Sequence, residues 1–399
     1  FTISGFRIIY FYPILLVFMT MVMWFYFYKN DLEFSAFQFL LKTFLIHISV
    51  IAVFVSAISS GAFILKVIKL PERFNSNIFL QICVGFAIMC FGIFLLGVIN
   101  QFNWYTASIW LLALIIPGWK SLLDSLKNNL WKKQHKTTIK PFSLFLIITV
   151  IILVSVNLIT VTSPFPLGFD SLTLYMNIPN LVSNNGGLIE VLYPYNWSLI
   201  VSLGYVIFES NAIALHLGSV SSILLIFLIF KIARNYVSTD WAIFSATLFY
   251  TLPIIVWPSS IEIKTDLSLF LIMLTVLHII FEFYFRYQNS PVETSSNNIV
   301  DTESKLWLIV GILIGFSLGI KYTSLIAVLG LIVFLFYFYC GKFVAIASLL
   351  AIIVFLFIFN LYTFADLSFS NIEIFSLILV LVVVALLFIF LARKNGKIS

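Results

Sequence analysis

Residues 142–180 read FSLFLIITVIILVSVNLITVTSPFPLGFDSLTLYMNIPN. The first half is an apolar run long enough to cross the hydrocarbon core of a bilayer, which takes about 20 helical residues at about 1.5 Å each. The second half turns polar and aromatic and carries Asp170. A carboxylate is costly to place near lipid, so we expect this one to have a function. The stretch therefore predicts a membrane-spanning helix that opens into a functional loop at the membrane surface.

The whole chain has the composition of a polytopic membrane protein. Of its 399 residues, 62% are hydrophobic and 10% are charged, so most of its surface must face lipid or other helices. The net charge of +6 does not indicate nucleic-acid binding, because the basic residues are scattered through short loops and no nucleic-acid-binding module is visible. Cys83, Cys90 and Cys340 form no CxxC or Cys/His metal motif, and we expect them to be packing residues.

Twelve apolar windows predict an all-α integral membrane fold of about twelve transmembrane helices, and the two windows on either side of Lys321 are short enough that they could be merged or tilted. They are residues 5–28, 37–65, 77–99, 103–119, 142–162, 212–232, 238–256, 265–285, 306–320, 323–339, 343–362 and 372–392. Most basic residues fall on one side of this arrangement, which is cytoplasmic by the positive-inside rule and includes both termini. The lysines left for the opposite side are Lys29, Lys42, Lys264 and Lys321.

Two connections are longer than the others. The basic stretch GWKSLLDSLKNNLWKKQHKTTIKP is expected to anchor the topology in the cytoplasm. It separates an accessory four-helix bundle at residues 1–140 from an eight-helix membrane domain at 141–399. The second connection, residues 163–211, is expected outside. It contains SLTLYMNIPNLVSNNGG and YNWSLIVSLGYVIFES, which look helical but are too short or too polar to cross, so we predict two interfacial helices.

Residues 142–330 carry a series of motifs in a particular order. The outer loop has an acid near its start and the Pro-aromatic break LYPYNW; after it come NAIALHLGSVSSILL, the Pro-containing turn of TLPIIVWPSSIEIKTDLSLF, and the Gly-rich GILIGFSLGIKYTSL. This order resembles the GT-C glycosyltransferases, the superfamily of protein mannosyltransferases and aminoarabinose transferases. The resemblance implies a GT-C-like fold that transfers a sugar from a polyprenyl-phosphate-linked donor at the outer face of a membrane, here a bacterial inner (plasma) membrane.

The chain also departs from the GT-C pattern. Many relatives carry an acidic pair in the first loop, whereas Ser171 follows Asp170 here. A divalent metal would be compatible with this chemistry, but no motif supports one, and we name no metal ligand. The first four helices precede the usual start of the family pattern, and their role is left open.

The chemistry itself points to individual residues. Transfer from a lipid phosphate needs a base for the acceptor, cations for the departing phosphate, and an apolar groove for the isoprenoid. We expect Asp170 to be the base and Lys264, Asp266 and Lys321 to belong to the substrate site. Other roles are open: Asp170 as a helix N-cap, Lys321 as a lysine that snorkels to the interface, and Lys264 as the ion-pair partner of Asp266.

Four further side chains are candidates for substrate binding. Tyr175, Tyr195 and Trp197 would suit stacking on a sugar, and His216 lies near the outer end of its predicted span. An interfacial aromatic belt would explain the aromatic residues equally well, and His216 could instead be satisfied inside the helix bundle.

Two other functions compete with an enzyme. A transporter or flippase of lipid-linked glycans should show internal repeats and charges near the membrane midplane, whereas we see no repeat and the clearest acids fall at one face. A non-catalytic scaffold subunit of a membrane complex is the second alternative. The expected partners of the enzyme are the polyprenyl-phosphate-linked donor and membrane lipids; the acceptor could be a protein, a lipid or a glycan.

Overall fold

The computed structural model describes residues 2–3, 21, 25, 33–131, 137–138, 140–161, 168–260, 262–287, 296–358 and 371–394. In the described part of the chain the regular structure is helical apart from two short strands, β1 (Thr2–Ile3) and β2 (Thr137–Thr138), which pair antiparallel. Seven of the described helices are long and apolar enough to cross a membrane. The chain is therefore an α-helical, multi-pass membrane protein.

The helices follow the hydropathy of the sequence closely. They are α1 (Glu33–Val67), α2 (Glu72–Asn75), α3 (Ile78–Val98), α4 (Trp104–Trp131), α5 (Pro141–Thr160), α6 (Asn177–Asn185), α7 (Asn196–Phe208), α8 (Asn211–Ala233), α9 (Thr239–Thr251), α10 (Pro253–Val256), α11 (Asp266–Glu282), α12 (Ser296–Leu318), α13 (Ser324–Cys340), α14 (Lys342–Ile358) and α15 (Asn371–Lys394). Short π-helical turns occupy Ser171–Tyr175 and Phe283–Tyr287. Helix is present in every predicted window from residue 37 onward, whereas the window 5–28 lies outside the described residues except for Met21 and Phe25.

The seven candidate spans are fewer than the twelve predicted. They are Thr43–Val67, Ile78–Val98, Trp104–Asp124, Pro141–Leu158, Asn211–Ala233, Asp266–Phe285 and Ile374–Arg393. Helix α9 is not among the candidate spans, because Leu252, which precedes Pro253, leaves the helical region at ψ 131° and ends the helix. Helices α7, α13 and α14 are apolar but also short.

The chain forms two compact units, residues 1–322 and 323–399. In the first unit, α1 and α3 pack on each other. In addition, α1 contacts α8, and α3 contacts α7. The predicted boundary at residue 140 therefore falls inside one compact unit. In the second unit, α14 packs on both α13 and α15.

Glycines allow the first helices to pack at very close range. Gly61 of α1 lies against the carbonyl of Gln81 in α3, and Gly85 of α3 lies against the carbonyl of Ala57 in α1. A methyl group at either glycine would overlap the opposing backbone. The pair α1 and α3 is thus a backbone-to-backbone contact of the kind that small residues produce in membrane proteins.

The long connection at 163–211 contains two helices, but the second differs from the prediction. Helix α6 ends at Gly186, whose φ of 65° is the left-handed conformation that glycine adopts without a steric penalty. Residues 197–204 of α7 are all buried, because α7 packs against α3, α4, α6 and α8. An interfacial helix would keep one face in water, so α7 is an interior helix of the first unit instead.

Candidate functional site

The turn that carries Asp170 docks on the segment just before α11. The backbone N–H of Ile263 donates a hydrogen bond of 2.9 Å to the hydroxyl of Ser171. On the other side of Asp170, Gly168 lies directly against the carboxylate of Glu262. These two contacts bring Asp170 beside the charged residues at the start of α11, although they are more than ninety positions apart in sequence.

Two ion pairs occupy this place. The ammonium nitrogen of Lys264 lies 2.7 Å from Oε2 of Glu262, whose side chain is only 9% exposed. The ammonium of Lys321 donates a hydrogen bond of 2.8 Å to Oδ1 of Asp266, the first residue of α11. Each lysine therefore has its own carboxylate partner.

The pKa values of the two lysines also depend on the other charged residues nearby. The close contact with the carboxylate of Glu262 is the largest influence on Lys264 and outweighs burial, and Asp170 and Asp266 add to it, so the pKa of Lys264 is raised above its ordinary value. Burial lowers the pKa of Lys321, but its interactions with Asp266 and Tyr175 more than offset this, so the net shift is upward. Both lysines are cationic at neutral pH. We call Asp170, Tyr175, Glu262, Lys264, Asp266 and Lys321 the charged cluster.

Asp170 itself is exposed and does not cap the turn that follows it. Its side chain makes no capping hydrogen bond to the turn Ser171–Tyr175, and its own backbone is already helical at φ −58° and ψ −36°. A residue that caps a helix normally has extended backbone angles. Asp170 therefore does not act as the N-cap of this turn.

The loop between α6 and α7 holds Lys321 in place. The backbone N–H of Asn196 donates 2.8 Å to the carbonyl of Gly319, and the hydroxyl of Tyr322 donates 2.7 Å to the carbonyl of Leu192. The amide of Asn196 fills the space where Gly319 lacks a side chain. The two bonds lie on either side of Lys321 and fix the turn after α12.

Trp197 and His216, both predicted to bind substrate, lie inside the protein. The ring of Trp197 is 1% exposed and packs edge-on against Phe86 of α3. His216 is fully buried in α8, with Nδ1 2.7 Å from the carbonyl of Ala212 and its ring edge-on to His47 of α1. Packing against α3 buries Trp197, and packing against α1 buries His216, which fits the alternative of a histidine satisfied inside the helix bundle.

Tyr195 has a structural contact of its own. Its hydroxyl donates 3.1 Å to the carbonyl of Ile189 and so closes the loop before α7. Tyr175, in contrast, belongs to the charged cluster through its interaction with Lys321. The four additional candidates are thus divided between the interior, the loop and the cluster.

Glu262 is the member of the cluster that was missing from the predicted site. The sequence suggested that Lys264 pairs with Asp266, whereas Lys264 pairs with Glu262 and Asp266 pairs with Lys321. Glu262 and Lys264 are two residues apart in a non-helical segment, and this spacing places side chains on the same side of an extended backbone. This spacing is the feature of the sequence that could have indicated the pairing of Glu262 with Lys264.

No family model, curated protein or solved structure matches the chain. Nor do the described residues contain a group of three or more His, Cys, Asp or Glu side chains arranged to hold a metal ion. An account of function depends on the chemistry of the charged cluster.

Proposed function

We propose that the protein is a membrane glycosyltransferase of the GT-C type, which moves a sugar from a polyprenyl-phosphate-linked donor to a protein, lipid or glycan acceptor. The observation that carries the proposal is the charged cluster. It combines an exposed carboxylate with two cationic lysines at the end of a membrane-spanning helix. The proposal includes twelve spans, a site at the non-cytoplasmic face of a bacterial inner membrane, and cytoplasmic termini.

In this mechanism each part of the cluster has a role. The acceptor oxygen or nitrogen attacks the anomeric carbon of the sugar, and its proton passes to the carboxylate of Asp170. The bond between the anomeric carbon and the phosphate oxygen breaks, and the departing polyprenyl phosphate keeps the electron pair. Lys264 and Lys321 stabilise the negative charge that develops on the phosphate.

The surroundings of Asp170 suit a lipid-linked substrate. Phe169 is 79% exposed and Leu172 is also exposed, so apolar side chains lie next to the proposed base. Such a surface can accept an isoprenoid chain, since burying apolar area is favourable. The phosphate would then lie beside the lysines while the chain remains in contact with apolar surface.

The position of the charges favours an enzyme over a transporter. A transporter usually places its substrate site near the bilayer midplane, in discontinuous helices. Here Asp266 begins α11, Lys321 follows α12, and Asp170 precedes a short turn, so all three lie at helix ends. This arrangement supports chemistry at a membrane surface.

Asp170→Asn tests the proposal. The change keeps the size of the side chain but removes its basicity, so transfer should fall by about a hundredfold or more while folding and insertion are unchanged. The measurement is turnover of purified protein in nanodiscs with polyprenyl-phosphate-linked sugars. The matched control is Asp301→Asn, which removes another exposed carboxylate, at the start of α12. Undiminished turnover of Asp170→Asn contradicts the assigned base, and a wild-type protein that transfers no sugar contradicts the proposed function.

A further inference from the structure

Glu262 is a charged side chain in an almost completely buried position. A buried carboxylate is unfavourable unless it is paired, and removing its partner would leave a charge without compensation. Oε2 of Glu262 has that partner in the ammonium of Lys264, at 2.7 Å. The same contact acts in the other direction, because it is the largest cause of the raised pKa of Lys264.

The second oxygen of Glu262 faces the turn that carries Asp170. A Cβ atom at Gly168 would come within 2.5 Å of Oε1, so only glycine fits there without displacing the carboxylate. The carboxylate cannot easily move aside, since Lys264 holds its other oxygen. Glu262 therefore packs between the ammonium of Lys264 and the backbone two residues before Asp170.

The contact on the far side of Asp170 reinforces this arrangement. Ile263, the neighbour of Glu262, donates its backbone N–H to Ser171, the residue after Asp170. The turn is thus fixed both before and after Asp170 by two consecutive residues. Moving Glu262 would move the proposed base and the proposed phosphate ligand together.

We propose that Glu262 is a positioning residue for the transfer reaction: one carboxylate oxygen orients the ammonium of Lys264, and the other fixes the turn that presents Asp170. This inference rests on the proposed function. Glu262 does not touch the substrate in this scheme; it sets the distance between the base and the cation. Displacements of about 1 Å at reacting groups cost on the order of a hundredfold in rate, so the effect of losing Glu262 should be large.

The first arm of the test does not depend on activity. The rate at which an amine-acylating reagent modifies Lys264 is measured by mass spectrometry between pH 7 and pH 11, a range of about four units that includes the ordinary lysine pKa of about 10.4. In Glu262→Gln, Lys264 loses its charged partner, so its pKa should fall and modification at a given pH should be faster than in the wild type. Glu190→Gln, a change at an exposed glutamate of the connection 163–211, is the matched control and should leave the rate unchanged. An unchanged rate in Glu262→Gln overturns the proposal.

The second arm measures transfer. Glu262→Gln should lower kcat/KM by on the order of ten- to a hundredfold and shift the alkaline limb of its pH profile to lower pH, whereas loss of folded protein alone would lower the amplitude without moving the limb.

Gly168→Ala should lower kcat and change the acylation of Lys264 little, because it displaces the turn but keeps the ion pair. Wild-type kcat in Gly168→Ala overturns the link to Asp170. If Glu262→Gln does not fold, Glu262→Asp is used in its place. Aspartate keeps the negative charge but holds it farther from Lys264, and the same decrease in kcat/KM is expected.

The two arms separate the failure of this inference from the failure of the proposed function. A wild-type protein without transfer activity overturns the function, and with it the catalytic part of the inference. The acylation result still decides whether Glu262 controls Lys264. A wild-type protein with activity, and a Glu262→Gln variant with an unmoved pH profile, overturns the positioning role alone.

Discussion

Lys321 has a partner that its sequence surroundings did not indicate. A lysine at the end of a helix ordinarily reaches for the interface or complements the helix dipole, and either role leaves it in contact with water. Lys321 instead donates to Asp266 and interacts with Tyr175. Because the cluster has three carboxylates and two lysines, a phosphate can bind only if a lysine shares or exchanges its carboxylate partner.

We predict that Lys321→Gln weakens binding of the polyprenyl-phosphate donor more than it lowers stability. The loss of one charge-assisted hydrogen bond is worth about 1.5 to 3 kcal/mol, or roughly ten- to a hundredfold in affinity. Lys321→Arg should restore binding only in part, because a planar fork does not replace a compact ammonium. The measurement is titration of donor in nanodiscs, with thermal unfolding in parallel.

The control for this prediction is Lys321→Gln combined with Asp266→Asn, which removes both charges of the pair, so that Asp266 is not left as a carboxylate without its cation. Donor binding should stay weak in the double variant, whereas stability should recover. The raised pKa of Lys321 means that the pair is fully formed at neutral pH and is lost only as the pH rises through that raised value. Equal donor binding by wild type and Lys321→Gln would contradict the phosphate role.

Helix α3 approaches its neighbour α1 closely at positions where glycine leaves no side chain in the way. Gly85 lies against the carbonyl of Ala57, and the opposing atoms belong to the backbone of a helix, which cannot turn aside as a long side chain can. In membranes, close packing of this kind replaces the hydrophobic driving force that associates helices in water. Helix α3 also packs on α7 and α12, so its position affects the loop that holds Lys321.

Gly85→Ala should destabilise the first unit by about 1 to 3 kcal/mol or more, the usual cost of forcing extra atoms into a packed interior. Gly315→Ala is the matched control. Gly315 lies within α12, is exposed, and has no heavy atom within 4 Å of the position that a Cβ would occupy. The control should be neutral or stabilising by up to about 1 kcal/mol, because alanine favours helix more than glycine does. Thermal unfolding in detergent compares the two, and equal unfolding temperatures would show that the contact with Ala57 relaxes without cost.

Helix α11 carries a carboxylate at each of its ends. Helix α11 begins with Asp266 in the charged cluster and ends with Glu282, which accepts a hydrogen bond of 2.9 Å from Arg73. A helix of this length extends by about 1.5 Å per residue, so the two carboxylates are separated by most of a hydrocarbon core. This separation matches a protein with one polar surface on each side of a membrane.

Cysteine labelling tests the proposed orientation of these surfaces. A cysteine at Asn184, an exposed position in the connection 163–211, should react with an impermeant thiol reagent added outside intact cells. A cysteine at Asp301, exposed at the opposite end of the unit, should react only after the cells are permeabilised. The native cysteines are replaced beforehand. The control is this cysteine-free protein with Asn184 and Asp301 unchanged, which should not be labelled. The reverse pattern would invert the topology and contradict a site at the outer face.

The described helices follow the predicted windows because the membrane imposes a local rule. A segment in lipid must satisfy its backbone within itself and be apolar along its length, and both requirements can be recognised in about twenty consecutive residues. The same rule drew attention to Asp170, Lys264 and Lys321, since charges are rare in so apolar a chain. Fewer described helices qualify as candidate spans because a proline shortens α9, charges interrupt α12, and α13 and α14 are short, while the window 5–28 lies outside the described residues except for Met21 and Phe25.

The sequence by itself determined that this is a helical membrane protein and approximately where its described helices lie, because hydropathy and chain length act locally. Only the tertiary structure decided that Trp197 and His216 are interior residues, and that Lys264 pairs with Glu262 while Lys321 pairs with Asp266. The partners of a buried ring or of a charge come from other helices. Their identity depends on close contacts such as those of Gly61 and Gly85, which no local period of the sequence records.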